Sequence, residues 1–403
     1  MSAYIPILSA ERSRLAGLAA ATDTVKDRLT PLFDVPALAA TPAAAAPAPT
    51  ADARGAPPSV APLEPRLAGV VDALAAAFGR RRAYLDGDAV DHRRADDGRL
   101  AAAWLFDEAR AWGLPLVPVT GLRRSDGYQL AAAEAASVDR RGVCLRLQLP
   151  DFGDLEALPE RVHALVDALG VAPDRVDLLV DLGRVAAEES RVLAVAARAV
   201  LGPLRRAARW RTLALAAGGA TPRLAAGAAA NGAGVDRVPR TEWLLWRALT
   251  ADTPALGFAD YAGLGGDGAS AAAPAAPAAT AGGPLPADHE AATNDGCGEW
   301  LGYARDAEWL VVRAADLADL PSDSCAGAPP PLAGLAARPE FYGVTHCAGD
   351  AGLVAVRGAD IRARPDDSAA ARRAALAAWR AAAVTHHLTV TVEGIARAAR
   401  ADR

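Results

Sequence analysis

Five short apolar runs in the chain each end on, or within two residues of, an aspartate: residues 30–34 (TPLFD), 83–86 (AYLD), 143–151 (VCLRLQLPD), 176–181 (VDLLVD) and 256–260 (LGFAD). A buried strand that ends in a carboxylate is how a parallel barrel presents polar groups on its C-terminal face. This pattern constrains the scaffold and the working face more than any other feature of the sequence. It does not specify a reaction.

The runs fall in an alternation of strands and helices. Strands are expected at 4–8, 30–35, 82–86, 114–120, 143–149, 176–182, 211–216 and 256–261. Helices are expected at 11–22, 65–79, 98–113, 127–138, 155–170, 187–206, 222–231 and 240–250. Alternating units of this length imply a parallel sheet covered by helices, and eight of them favour closure. The expected class is α/β: a (β/α)8, TIM-barrel-like domain over 1–262 with a low-complexity insertion at 37–61. A Gly/Ala/Pro-rich linker follows at 263–295, then a small α/β subdomain at 296–378 and a returning final barrel helix within 379–403. In that subdomain, strands are expected at 301–304 and 309–313 around a turn at Asp306-Ala307, and short strands at 341–344 and 352–356. The final helix is expected to start near Thr385, with Val384, Leu388, Val392 and Ile395 on one stripe; a strand over 388–392 is the alternative.

Alternation within the strands assigns their faces. Val143, Leu145, Leu147 and Leu149 share one face, suited to the helix layer, and Cys144, Arg146 and Gln148 share the other. By the same parity Val176, Leu178, Val180 and Leu182 face outward, and Asp177, Leu179 and Asp181 face inward.

Composition excludes several classes. The formal net charge is −5, which argues against a sequence-independent nucleic-acid binder needing a basic face. The four cysteines (Cys144, Cys297, Cys325, Cys347) form no CxxC pair, so neither a disulfide framework nor a zinc ribbon is expected. There is no apolar run long enough to span a membrane and no basic-led apolar leader, and the expectation is a soluble cytoplasmic protein without a membrane partner.

Motifs along nearly the whole chain resemble a known family. In order they are Tyr4-Ile5-Pro6-Ile7-Leu8, Thr30-Pro31-Leu32-Phe33-Asp34-Val35-Pro36, Leu145-Arg146-Leu147, Leu179-Val180-Asp181-Leu182-Gly183 and Arg240-Thr241-Glu242-Trp243. Asp260-Tyr261, Trp309 with Arg313, Gly349-Asp350, and Trp379 through His386-His387 follow. The sequence is similar to the Beta proteins of phages, prophages and related mobile elements. That resemblance implies a link to phage exclusion or to killer–antidote gene pairs, and supplies no reaction. The chain departs from the pattern at Ser9-Ala10-Glu11-Arg12-Ser13-Arg14, where relatives are lysine-rich, and at Ala220-Thr221-Pro222, where they have a Ser-Phe-Pro turn. Asp34 stands where glutamate is common. If the missing lysine is catalytic, this member is altered or inactive.

Three constellations could carry chemistry. The first is the acidic ring of Asp34, Asp86, Asp151, Asp181 and Asp260. Clustered carboxylates repel unless cations intervene; the candidates are Arg146, Arg12 or Arg123, or a divalent Mg2+ or Mn2+ held by Asp34, Asp151, Asp181 and Asp260. Each aspartate reads equally well as a helix cap or turn residue. The second is Thr385-His386-His387, taken as a helix N-terminus, with Gly218, Gly219 and Tyr261: a site for a phosphorylated small molecule, with one histidine as acid or base. Packing by both histidines is the plain alternative. The third is Trp309, Arg313, Trp379 and Arg380, with His346 and Asp350; such tryptophans more often staple a subdomain than stack a base. The leading expectation is a barrel-rim site that binds or hydrolyses a phosphorylated ligand with a divalent metal, Arg146 and Asp181 at its centre. The rival is a non-catalytic antidote or sensor that binds a toxin or phage protein.

Overall fold

The computed structural model describes residues 3–38, 62–185, 189–219, 236–253, 255–262, 300–313, 347–355 and 369–401. Eight strands close into an all-parallel barrel: β1 (Tyr4–Ser9), β2 (Leu32–Asp34), β3 (Ala83–Asp86), β4 (Leu116–Thr120), β5 (Val143–Gln148), β6 (Val176–Val185), β7 (Thr212–Gly219) and β9 (Gly257–Asp260). Pairing of Tyr4 with Phe258 and of Pro6 with Asp260 closes the ring. The helices α1 (Arg12–Ala20), α2 (Asp23–Lys26), α3 (Glu64–Phe78), α4 (Ala101–Ala111), α5 (Asp126–Asp139), α6 (Leu158–Ala168), α7 (Ser190–Ala207) and α8 (Thr241–Thr250) accompany the strands. The barrel class expected from the sequence is therefore the fold. Most of the expected 37–61 insertion, the linker and the expected elements at 222–231 and 341–344 lie outside the described residues.

Strand parity divides the apolar residues into two packed sets. Leu145, Leu147, Leu178 and Val180 join the large core between strands and helices. Ile5, Ile7, Tyr84, Val119, Cys144 and Leu179 fill the barrel interior. A mixed strand such as β5 suits this geometry because its polar face turns away from the apolar helix layer. The N-terminal end of the interior carries a buried Asp177. Its carboxylate accepts from Arg82 Nη2 at 2.6 Å and from Arg211 Nε at 2.8 Å.

A strand unforeseen in the sequence, β8 (Asp236–Pro239), precedes α8 and joins β10 (Trp300–Ala304) and β11 (Glu308–Arg313) in an antiparallel sheet of order β10-β11-β8. Two expectations are corrected here. Residues 352–355, expected as part of a strand, lie in the helix α9 (Ala348–Ala355). The last helix, α10, spans Ala369–Ala401 rather than starting near Thr385. Residues 369–383 are rich in alanine, the strongest helix former, and contain no Gly or Pro to stop the helix. Among the described residues no helix is long and apolar enough to cross a membrane.

Glycines set how closely α10 approaches its neighbours. A Cβ on Gly17 of α1 would lie 2.5 Å from the Ala381 carbonyl oxygen and 2.6 Å from Val384 Cβ. A Cβ on Gly349 of α9 would lie 2.4 Å from the His386 nitrogen. Backbone therefore packs against backbone on both sides of α10. Gly17→Ala should cost about 1–3 kcal/mol through overpacking. Gly69→Ala, in α3 with nothing within 4 Å of its Cβ, should gain up to about 1 kcal/mol from helix propensity. Chemical denaturation of the two variants beside the parent should show midpoints moving in opposite directions.

Candidate active site at the barrel mouth

Arg146 lies in the middle of β5, on the inward parity, and its guanidinium gathers the strand-end carboxylates. Nε donates to Asp181 Oδ2 at 2.8 Å, and Nη1 donates to Asp34 Oδ1 at 2.8 Å and Asp86 Oδ2 at 2.9 Å. Nη2 lies 2.8 Å from Asp181 Oδ2 and 3.3 Å from the Tyr261 hydroxyl. A guanidinium has five N–H groups in a planar fork, and these contacts engage all three of its nitrogens. The Tyr261 hydroxyl donates to Asp181 at 2.8 Å. Arg124 adds a second cation: its Nη2 donates to both Asp86 oxygens, at 2.8 and 3.0 Å, and its Nη1 pairs with Asp88.

Local backbone places these groups. β6 shifts register after Asp181, and Gly183, at φ 68°, takes the left-handed conformation there. Its N–H returns to Asp181 Oδ1 at 2.9 Å. Gly218 at the end of β7 leaves room for the Tyr261 ring, which a Cβ would approach to 2.8 Å. Arg184 lies over that ring, 5.7 Å from its centroid.

The mouth is nearly closed to solvent, and Asp34 is its opening. The Arg146 side chain is 4 % exposed, whereas that of Asp34 is 22 % exposed. Among the described residues Asp34 Oδ2 has no hydrogen-bond partner. Burial raises the Asp34 carboxyl to about 6; Arg146 opposes the rise, and Asp86 and Asp181 add to it. Burial and the neighbouring Asp181 also push the Tyr261 phenol up, so it remains a donor. The charged state of Arg146 is disfavoured by its burial, but the carboxylates outweigh this and hold its pKa well above the ordinary value.

The structure separates several residues that the sequence grouped. Asp34, Asp86 and Asp181 converge, but Asp151 and Asp260 do not join them. Asp151 caps a 3-10 turn after β5, where its Oδ2 accepts the Gln148 N–H at 2.9 Å. Asp260 shares the outward parity of Phe258 and faces the helix layer. The four proposed metal ligands therefore form no common site, and the cation between the three convergent carboxylates is Arg146. Arg124, rather than Arg123 or Arg12, is the second cation. Gly218 serves the Tyr261 ring, and Gly219 pairs with Val185 at the end of β7.

Thr385 is not at a helix N-terminus, so its N–H is not free for an anion. Its buried hydroxyl donates to the Gly17 carbonyl at 2.7 Å and so pins α10 to α1. The histidines point to different partners, as consecutive helical residues must. His387 Nε2 meets Asp260 Oδ2 at 2.8 Å on the outer wall of the barrel, and the Tyr4 hydroxyl donates to Asp260 Oδ1 at 3.1 Å. Although burial opposes it, His387 and Arg240 hold the Asp260 carboxyl below its ordinary range. Trp309 stacks on His387 with centroids 4.9 Å apart and donates to Glu242 at 3.0 Å. His386 is paired with Asp350. Neither histidine contacts the Arg146 cluster. Trp309 and Trp379 are both buried and offer no stacking face to a ligand; His346 lies outside the described residues. Sequence reasoning missed Arg124, although its place just beyond β4 in GLRRSD was a signal that it sits on the rim.

Two outcomes follow for the cluster. Arg146→Met leaves three carboxylates at the mouth without their shared counter-charge and should cost about 3–5 kcal/mol at neutral pH. The Asp34 carboxyl, already raised by burial, then loses the cation that opposes the rise. The loss should shrink in acid and grow with pH, as urea titrations from pH 5 to 8 would read. For Asp34, a folded pKa above the unfolded value means that the native state loses stability as pH rises from about 4 to about 6. Asp34→Asn removes that step, so the variant should match the parent near pH 4 and exceed it above pH 6.

A family model described as Beta protein matches residues 4–393 of the chain. No curated protein matches. Among solved structures, a 3-hexulose-6-phosphate synthase is similar over 52 % of this chain and 100 % of its own, at 17 % identity and a TM-score of 0.25. That likeness is too slight to carry an argument about ligand or reaction.

Proposed function

The chain belongs to the Beta protein family, and for this member we propose that the barrel mouth binds a small polar ligand and that Asp34 exchanges a proton with it. One observation carries the reading. Asp34 is the part-exposed carboxyl on the buried Arg146, and burial raises it to about 6, close enough to neutral pH for proton exchange. Strongly perturbed carboxyls in clefts concentrate at functional sites. The C-terminal mouth is also where barrels of this architecture work.

The roles differ from those suggested by the sequence. All three Arg146 nitrogens are engaged within the cluster, so it acts as a fixed positive platform that positions Asp34 and Asp181. The Asp34 Oδ2 atom is the acceptor available to a ligand hydroxyl or amine. A phosphorylated ligand remains within the proposal only if it brings its own cation. Asp34, Asp86 and Asp181 would have to exchange Arg146 for that ion. The link to phage exclusion, and to a toxin or phage protein as partner, stays a proposal drawn from the family. On the surface, the exposed Val192 and Val195 of α7 favour such a contact.

The test is a thermal-shift screen of small hydroxylated, amino and phosphorylated metabolites, with and without Mg2+, on the parent, Asp34→Asn and Tyr261→Phe. A compound that stabilises the parent and not Asp34→Asn is expected. Ligands that stabilise all three equally, or none that stabilises the parent, would remove the mouth as the site.

A further inference from the structure

Away from the mouth, α9 and α10 bring three potential metal-ligating side chains together. His386 Nδ1 is 3.0 Å from Asp350 Oδ1 and 3.8 Å from Cys347 Sγ, and the three ligand atoms lie within 4.8 Å of one another. Zinc bonds of about 2.0–2.3 Å require tetrahedral ligand separations of about 3.3–3.7 Å. Two edges of this triangle bracket that range, and the third is no longer than 4.8 Å. We propose that Cys347, Asp350 and His386 form a site for a divalent transition ion, zinc in the first place, that clamps α9 to α10.

The surroundings are those of a metal site. His386 Nε2 lies 2.8 Å from the Ala304 carbonyl oxygen, and an N–H donated to a backbone carbonyl fixes the tautomer that leaves Nδ1 as the ligand. The Tyr303 hydroxyl donates to Asp350 Oδ1 at 2.7 Å, and its ring stacks on His386 with centroids 3.9 Å apart. The Cys347 N–H donates to Asp350 Oδ2 at 2.8 Å, so His386 and Asp350 are each oriented by further contacts. Gly349 lets the α9 backbone approach closely enough for the three to meet. Cys347 also lines a cavity of about 360 Å³ with Thr22, Arg28, Thr385, Thr389 and Glu393, which gives an ion a path in.

With an ion bound, the ligands are thiolate, carboxylate and neutral imidazole, with water completing the coordination. A sulfur–nitrogen–oxygen set favours zinc over magnesium or manganese. It thus differs in kind from the oxygen-only set expected at the mouth.

The experiment uses the full chain stripped with a chelator. Zn2+ affinity is measured by competition with a chromophoric chelator, and Co2+ is added as a spectroscopic probe. One tightly bound equivalent is expected, with a thiolate-to-cobalt charge-transfer band and tetrahedral ligand-field bands. Cys347→Ser should abolish the charge-transfer band and weaken Zn2+ binding by roughly tenfold or more. A Cys297→Ser/Cys325→Ser double variant should retain both. In the parent itself, Zn2+ should protect Cys347 from alkylation, read by peptide mass spectrometry, which does not depend on any variant folding. No binding at micromolar Zn2+, a cobalt spectrum unchanged by Cys347→Ser, or loss in the double variant alone would overturn the site.

Discussion

The Arg146 guanidinium is the interaction on which the upper half of the barrel depends. Strand ends that close a small barrel bring their inward side chains within a few ångströms, and in this chain three of those are aspartates. Carboxylates so close cannot all ionise in a buried mouth without a counter-charge. Arg146 supplies it in one planar group that reaches β2, β3 and β6 and the Tyr261 hydroxyl beyond β9. The positive charge comes from the wall itself, one pleat below the rim, so the mouth is assembled when the strands are. Ion pairs of this kind are weak sources of net stability, because desolvation offsets most of the attraction. Their worth is in fixing positions, and an already fixed carboxyl is what a proton-transfer site requires.

A second polar network, around Asp260, has a different character. Tyr4, Arg240, Glu242, Trp309 and His387 surround it in the layer between barrel and subdomain, all of them buried. These residues recur among the motifs shared along the chain, yet none opens to solvent. They join β1, β9, α8, β11 and α10. The network therefore belongs to the architecture that seats the small antiparallel sheet and α10 against the barrel, whereas Asp34 opens to solvent.

Much of this was legible in the sequence because period-two alternation is a strong physical signal. Leu145 and Leu147 against Arg146, or Leu178 and Val180 against Asp181, fix which face each strand shows to the helices. The same rule applied to LGFAD would have placed Asp260 outside with Phe258 and left Tyr261 inside; reading only the terminal aspartate hid this. The stripe of Val384, Leu388, Val392 and Ile395 points to a helix near Thr385, with the β-branched 388–392 offering a strand as the alternative; the alanine-rich residues before it are what carry α10 back to Ala369. The meeting of Cys347 and Asp350 with His386 was not legible at all. It depends on where two helices cross, and the only local trace of that crossing is Gly349.

The position of His386 and His387 in α10 has a consequence for how this helix can change. His386 is tied to the subdomain through Asp350 and Ala304, and His387 to the barrel through Asp260. Each residue along a helix turns the next by about 100°. The helix is thereby keyed, like a shaft with two teeth cut at a fixed angle. Losing or gaining one residue between Gly17's contact at Ala381 and the histidines would rotate both teeth out of their slots together. Side chains along α10 can be exchanged one at a time, but its length through this stretch cannot drift, so its reading frame of turns is part of what holds the barrel and its appendage in a single arrangement.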